Sequence, residues 1–340
     1  MAEQSPLHDV TAAAGAVFTE EAGWTMPAHF GDVAAEYRHA REHAALFDIS
    51  HHGKIEVTGP DAAAFLHNLC TNDIKALKPG RGCEAFLTTV KAKVIAYIQV
   101  CRDQEHVFWI DAGPGMGQRV LKHLDHHLIS EQVELSDRTH DFAQLHLAGP
   151  QCRAVLEQAR GDVVPRDRLA VPGCELLCLA PSASALWGDL IAAGARPVGS
   201  EVYNLLRIEA GIPVFGKEID EDRFVVEVDR TKQAICYTKG CYLGQEPIVM
   251  ARDRGHVNRL LRGLKIAGSS AVPSGTKVFR DADEVGQVTS SVVSPRFGAI
   301  ALAYIRRGSW EPGTAVTVAA DGEKRSAEVV SLPFDSGAAP

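Results

Sequence analysis

The chain has 340 residues, 46% apolar and 23% charged, enough to bury a sizeable core and to form about two domains. Its 35 basic and 43 acidic residues give a net charge of −8, which argues against broad nonspecific nucleic-acid binding but leaves room for a local basic patch. The N-terminal residues lack a basic segment followed by an apolar run, no stretch of ~18 apolar residues occurs, and the eight cysteines are scattered like reduced thiols, so the expectation is a cytoplasmic protein with no membrane partner and no direct nucleic-acid partner.

Residues 32–47, DVAAEYRHAREHAALF, place Val33, Tyr37, Ala40, Ala44 and Phe47 near helical spacing and predict a helix. The strand GKIEVTG follows and runs into GPDAAAFLHNL, where Pro60 suits a first helical turn. Further on, LHLAG and GPQCRAVLEQA repeat that pattern. VTGPDAAAFL (57–66) aligns with LAGPQCRAVL (147–156) without a gap, which points to two related α+β halves. Between them, CEAFLTT, KVIAYIQVC and HVFWID predict an antiparallel meander. Helical patterns follow at GQRVLKHLDHHL, SALWGDLIAAG and SEVYNLLRIEAG. From about Leu260 the texture changes to short runs such as LLRGLKIAG, TKVFR, VGQVTSSVVS and AIALAYI, broken by Gly, Pro, Ser and Asp. That is the pattern of a small barrel or sandwich. The closing DSGAAP reads as a loose tail.

Most of the chemistry-bearing clusters have an ordinary explanation. Cys174 and Cys178, four apart on a strand, would sit ~13 Å from each other and cannot chelate one metal. His123 and His127 lie one helical turn apart but lack the further ligands that zinc needs. Asp48, His51 and His52 suggest a hydrolytic triad only in composition, because no G-x-S-x-G elbow is present. GPGMG lacks the full G-x-G-x-x-G and its βαβ setting. Arg252, Arg254, Arg259 and Arg262 form a local positive run, either a solvated face or a seat for a carboxylate-rich ligand. In KGCYLGQE (239–246), Lys239 and the arginines would favour the thiolate of Cys241, and the flanking glycines permit close approach. Cys236, flanked by Ala234 and Ile235, reads as buried.

GWTMPAHF, LFDISHHGKIEVTGPDAAAFL and LCTNDIKALKPG resemble the N-terminal half of the glycine-cleavage T-protein. RIEAGIPVFGKEID resembles its folate-site segment, and VGQVTSSVVSPRFGAIALAYI its C-terminal barrel. KGCYLGQE is similar to the signature of the YgfZ-type folate-binding proteins of iron–sulfur cluster maintenance. Over nearly its whole length the sequence thus resembles the folate-binding aminomethyltransferase-like superfamily. The resemblance implies an α+β fold with three lobes, two related α+β lobes and a C-terminal β-barrel around a central folate channel, with domains at residues 1–259 and 260–334. It implies tetrahydrofolate, or a one-carbon derivative, as the cofactor.

By the same resemblance Glu209 takes the position of the glutamate that binds the pterin ring, where a carboxylate can accept two hydrogen bonds from an aminopyrimidine edge. Arg207 and Gln245 are further cofactor-binding candidates. Asp111, in WIDAG, falls where the T-protein has a folate-contacting asparagine. The T-protein's IDD segment, which supplies its catalytic aspartate, corresponds here to VIAYIQV, with Ala96 and Tyr97 at the acidic positions. The favoured expectation is a tetrahydrofolate-binding protein that assists iron–sulfur cluster assembly or repair, not a conventional enzyme. Cys241 would be its accessible functional thiol with Lys239 beside it, no resident metal is expected, and folate and iron–sulfur client or assembly proteins would be its partners. The alternative is a tetrahydrofolate-dependent aminomethyltransferase or demethylase. A third class is a thiol-redox enzyme with vestigial folate binding.

Overall fold

The computed structural model describes residues 2–159, 164–165, 168–169, 171–255, 257–320 and 322–334. The DSGAAP segment therefore lies outside the described residues. The chain divides into two compact units. One comprises Met1–Thr88, Ile95–Asn204 and Gln233–Leu243; the other comprises Thr89–Val94, Leu205–Lys232 and Gly244–Pro340.

The first unit begins with a small sheet that periodicity did not reveal. Trp24–His29 pairs antiparallel with Val17–Glu21 and parallel with Glu3–Gln4. The helix predicted over 32–47 is real but shorter, spanning Val33–Glu42. The Asp32 side chain caps it by accepting from the Ala34 N–H at 2.9 Å. The chain leaves helical geometry at His43, and Ala45–Asp48 becomes a strand buried on both faces. A short run that is apolar on every side is compatible with a helix end or a central strand, and only its pairing with Phe142–Ala148 decides between them.

Two five-stranded sheets make up most of this unit. One runs in the order Val164–Pro165, Gly173–Leu179, Phe142–Ala148, Ala45–Asp48, Arg196–Pro197. Leu46, Leu145, Leu147 and Leu176 from its strands pack with Trp187 and Leu190 of the helix Ala183–Ala192 and Val155 of the helix Cys152–Ala159. The other runs Arg81–Thr88, Val94–Gln104, Val107–Pro114, His52–Thr58, Glu134–Asp137, so the predicted meander strands are spatial neighbours in chain order. The repeated strand, Gly-Pro and helix is present twice: His52–Thr58 leads into Ala62–Leu69, and Phe142–Ala148 leads into Cys152–Ala159.

The second unit contains a closed six-stranded barrel, ordered Arg259–Ile266, Gly298–Arg306, Asp283–Ser294, Lys277–Arg280, Ala315–Ala320, Glu323–Val330. AIALAYI shows how it is built. Ala299, Ala301, Ala303 and Ile305 belong to the main barrel core, with Val288, Val318 and Val329. The alternate residues Ile300, Leu302 and Tyr304 pack with Ile208, from the helix Ser200–Glu209, and with Leu261. Both faces are buried, so the strand reads as a continuous apolar run. Each fully buried aliphatic side chain contributes about 1.5–3 kcal/mol. Among the described residues no helix is long and apolar enough to cross a membrane.

Candidate functional site

Glu209 is the last residue of the helix Ser200–Glu209 and is 1% exposed. Its Oε1 accepts from the Ser294 hydroxyl at 2.5 Å. Arg207, two positions earlier, is also buried, but its guanidinium is committed within the fold. Nη1 donates to Glu218 Oε2 at 2.8 Å and to the Ile212 carbonyl at 3.2 Å, and Nη2 donates to Ser290 Oγ at 2.8 Å. Glu218, fully buried, also accepts from the Val214 N–H, the Ser290 hydroxyl and the Thr289 hydroxyl. Arg207, expected to contact cofactor, thus anchors the helix end to the strand Asp283–Ser294. The same strand supplies Ser294 to Glu209, so the two helix residues are fixed to the barrel by two serines four positions apart.

Asp111 lies in the first unit on Val107–Pro114, paired across with Lys54 on one side and Gln99 on the other. Its Oδ1 accepts from His52 Nδ1 and the Gly113 N–H, both at 2.9 Å. Its Oδ2 accepts from Arg168 at 2.6 Å and from Gln144 Nε2 at 3.0 Å. Four donors take up the acceptor capacity of one carboxylate. The group expected to meet folate is therefore the centre of an internal network, and an asparagine there could accept only through its one oxygen. Arg168 also pairs with Glu175 at 2.8 Å. Burial opposes its charge, but Asp111 and Glu175 outweigh burial and hold it firmly protonated. Burial pushes His52 below its usual range against the pull of Asp111, and pushes Lys54 down to about 8. The Lys54 Nζ donates to the carbonyls of Ser50 at 2.7 Å and His52 at 2.8 Å.

In KGCYLGQE, Cys241 is exposed, as a functional thiol requires. Lys239 does not serve it. The Lys239 ammonium is buried in a cage of backbone carbonyls, donating to His67, to Cys70 at 2.6 Å and to Asn72 at 2.8 Å. Burial lowers its pKa to about 8, and the groups that oppose this are Cys70, Asp73, Cys236 and Cys83. Lys239, expected to stand beside the Cys241 thiol, instead spends its ammonium on these carbonyls. Cys236 departs from expectation as well. It is half-buried rather than buried. Burial would raise its pKa, but the Thr238 hydroxyl and the N–H groups of Thr238 and Lys239 bond the sulfur and together lower it. Gln245 opens the helix Gln245–Arg254 of the second unit and is half-buried.

The positive run is largely neutralised where it stands. Arg252 pairs with Asp253 at 2.6 Å, Arg259 with Glu227 at 3.1 Å, and Arg262 with Asp229. Among the described residues no group of three or more His, Cys, Asp or Glu side chains is arranged to hold a metal ion. His127 Nδ1 lies 2.9 Å from the His123 carbonyl, an intrahelical contact. Sequence reasoning missed Ser294, Glu218, Gln144, Glu175 and Arg168. Only Ser294 carried a local signal, the Ser-Pro step that ends a strand.

Residues 7–170 match the GCVT N-terminal domain family, and residues 259–335 match the glycine cleavage T-protein C-terminal barrel domain family. The aminomethyltransferase of Geobacillus kaustophilus is 30% identical, with 98% of this chain and 99% of that protein aligned. The chain belongs to the aminomethyltransferase family. A probable aminomethyltransferase of Natronomonas pharaonis is 31% identical over 97% of this chain and 98% of its own length. The glycine cleavage system aminomethyltransferase T of Bartonella henselae superposes with a TM-score of 0.92 at 27% identity, covering 98% of each chain. The fold is thus the aminomethyltransferase fold with its C-terminal barrel. Tetrahydrofolate is the family's cofactor. The buried Glu209 carboxylate is an acceptor of the kind that an aminopyrimidine edge, with its parallel N–H donors, can meet.

Proposed function

We propose that the protein binds tetrahydrofolate through Glu209 and uses it as the acceptor in one-carbon transfer from an aminomethyl or N-methyl amine. The observation that carries this reading is the buried Glu209 carboxylate at a helix end, in a chain similar over almost its full length to aminomethyltransferases. Tetrahydrofolate supplies the nitrogen that takes the one-carbon unit. The chain supplies the carboxylate that orients the pterin and a fold that pins that carboxylate. Titration calorimetry is the direct test. Glu209→Gln replaces one acceptor oxygen with a donor and should weaken folate binding by roughly 1.5–3 kcal/mol. Equal affinity of mutant and wild type removes the assignment. Methylene-tetrahydrofolate formation from a loaded carrier protein, or methyl-tetrahydrofolate formation from an N-methylated amine, tests the transfer step. General acid–base assistance typically contributes ~10²–10⁴-fold. With Ala96 and Tyr97 at the acidic positions, turnover is expected to fall below that of relatives carrying the acids by that order.

A second reading is assistance to iron–sulfur cluster assembly or repair, supported by one specific feature, the exposed Cys241 in KGCYLGQE. Under it Cys241→Ser keeps fold and folate binding and fails to restore iron–sulfur enzyme activities in a deletion strain. Full rescue by Cys241→Ser would eliminate it.

A further inference from the structure

We infer that Ser294 is a positioning residue for ligand binding: its hydroxyl fixes Glu209 as an acceptor and so selects ligands that present an N–H donor edge. The inference rests on the folate reading of Glu209 and adds to it the residue that sets the carboxylate's orientation.

Ser294 Oγ accepts from the N–H groups of Arg296 and Phe297, both at 3.0 Å. Backbone N–H groups can only donate, so they occupy the two lone pairs of the hydroxyl oxygen. The single hydroxyl proton must then point elsewhere, and it points at Glu209 Oε1, 2.5 Å away. Ser294 is 2% exposed and Glu209 1%, so water does not compete for this bond. An oxygen that receives a proton from Ser294 cannot donate one there. The carboxyl plane is held in one orientation with Oε1 defined as an acceptor. A ring edge built of N–H donors, such as a 2-aminopyrimidine, suits that arrangement. A ring edge carrying a carbonyl or methyl at the same place does not, because it offers the carboxylate no donor.

The helix end keeps its place without Ser294. Arg207 joins Glu218 and Ser290 independently, and Tyr304 donates to the Glu218 carbonyl at 2.9 Å. The two N–H groups that would lose Ser294 belong to exposed Arg296 and half-buried Phe297, in the turn that follows the strand. Ser294→Ala is therefore expected to fold.

The test is a double-mutant cycle on the whole chain, read by titration calorimetry with 5-formyltetrahydrofolate. Ser294→Ala should weaken binding roughly 10- to 100-fold, the scale of one hydrogen bond to a charged group. In a Glu209→Ala background the same change should cost almost nothing, because no acceptor is left for the Ser294 hydroxyl to position. Ser294→Cys, isosteric but a weak donor, should fall between and serves in place of the alanine variant if that variant does not fold. Wild-type affinity in Ser294→Ala overturns the inference. Equal losses in both backgrounds also overturn it, since they report a structural effect that bypasses Glu209. If Glu209→Gln itself binds like wild type, the folate assignment of Glu209 fails first, a distinct result that takes this inference with it.

Discussion

Lys239 ties three carbonyls of the 67–72 segment to the loop that carries it, and no feature of KGCYLGQE announces this. Replacing it with methionine keeps the stem but leaves three buried acceptors without their donor. Lys239→Met is expected to destabilise the fold by at least about 2 kcal/mol, measured by urea denaturation. Unchanged stability would mean that water or a local shift replaces the ammonium. The thiols of the chain differ sharply. Burial pushes Cys70 up to about 12 and Cys174 up to about 12, whereas Cys236 is lowered by the donors on its sulfur. Peptide mapping after brief iodoacetamide treatment at neutral pH should find Cys236 and exposed Cys241 carboxamidomethylated and Cys70 and Cys174 intact. Early labelling of Cys70 would contradict its burial. The thiolate, not the thiol, is the nucleophile, so for Cys70, Cys174 and Cys236 access and pKa act in the same sense.

At the scale of elements, the repeat VTGPDAAAFL and LAGPQCRAVL marks two equivalent turns. Gly59 and Gly149 both have positive φ, 121° and 115°. A Cβ at Gly59 would stand 2.1 Å from the Gln132 carbonyl oxygen, and one at Gly149 would stand 2.2 Å from that of His43. Each glycine lets the strand turn into its helix while a neighbouring backbone passes close by. Gly149→Ala is expected to cost at least about 2 kcal/mol by combining backbone strain with that clash. A melting temperature equal to wild type would show that the turn can relax. The meander has its own consequence. Gln99 pairs with Asp111, so Tyr97, two residues earlier on the strand, shares the Asp111 face, whereas Ala96 lies on the other face and is fully buried. A carboxylate restored at 97 would join that face, and one at 96 would enter the core. Tyr97→Asp should therefore raise one-carbon transfer above wild type in a single-turnover assay, and Ala96→Asp should mainly destabilise the protein. Faster transfer from Ala96→Asp would reverse this assignment of faces.

Across the whole molecule, partly or fully buried histidines make stability depend on acid. Burial, aided by neighbouring His127, His126 and Arg119, pushes His123 down to about 4. Burial likewise lowers His52, His67 and His39. Their unfolded values lie near 6.5. Below 6.5 the unfolded chain binds protons that the folded chain refuses, so stability is full above that pH and falls as the pH drops towards 4. The urea midpoint should be lower at pH 5 than at pH 7, and His123→Gln should reduce the difference. A midpoint that does not move between pH 7 and pH 5 would show that these rings do not control acid stability.

The sequence alone determined whatever depends on neighbours along the chain. The short apolar runs after Leu260, broken by Gly, Pro, Ser and Asp, specify barrel strands because run length and turn residues are local properties of the chain. The repeated Gly-Pro step specifies a strand-to-helix turn because only glycine tolerates that backbone next to a close carbonyl. Tertiary structure decided which groups meet. Ala45–Asp48 became a central strand because Phe142–Ala148 offered it partners. Asp111 became an internal hub because folding brought Arg168 and Gln144 to it. Lys239 left its sequence neighbour Cys241 for carbonyls 167 to 172 positions away. Hydrogen-bond donors and acceptors from distant segments are matched by a fold whose core is already formed, and no local pattern in the chain records which of them will be paired.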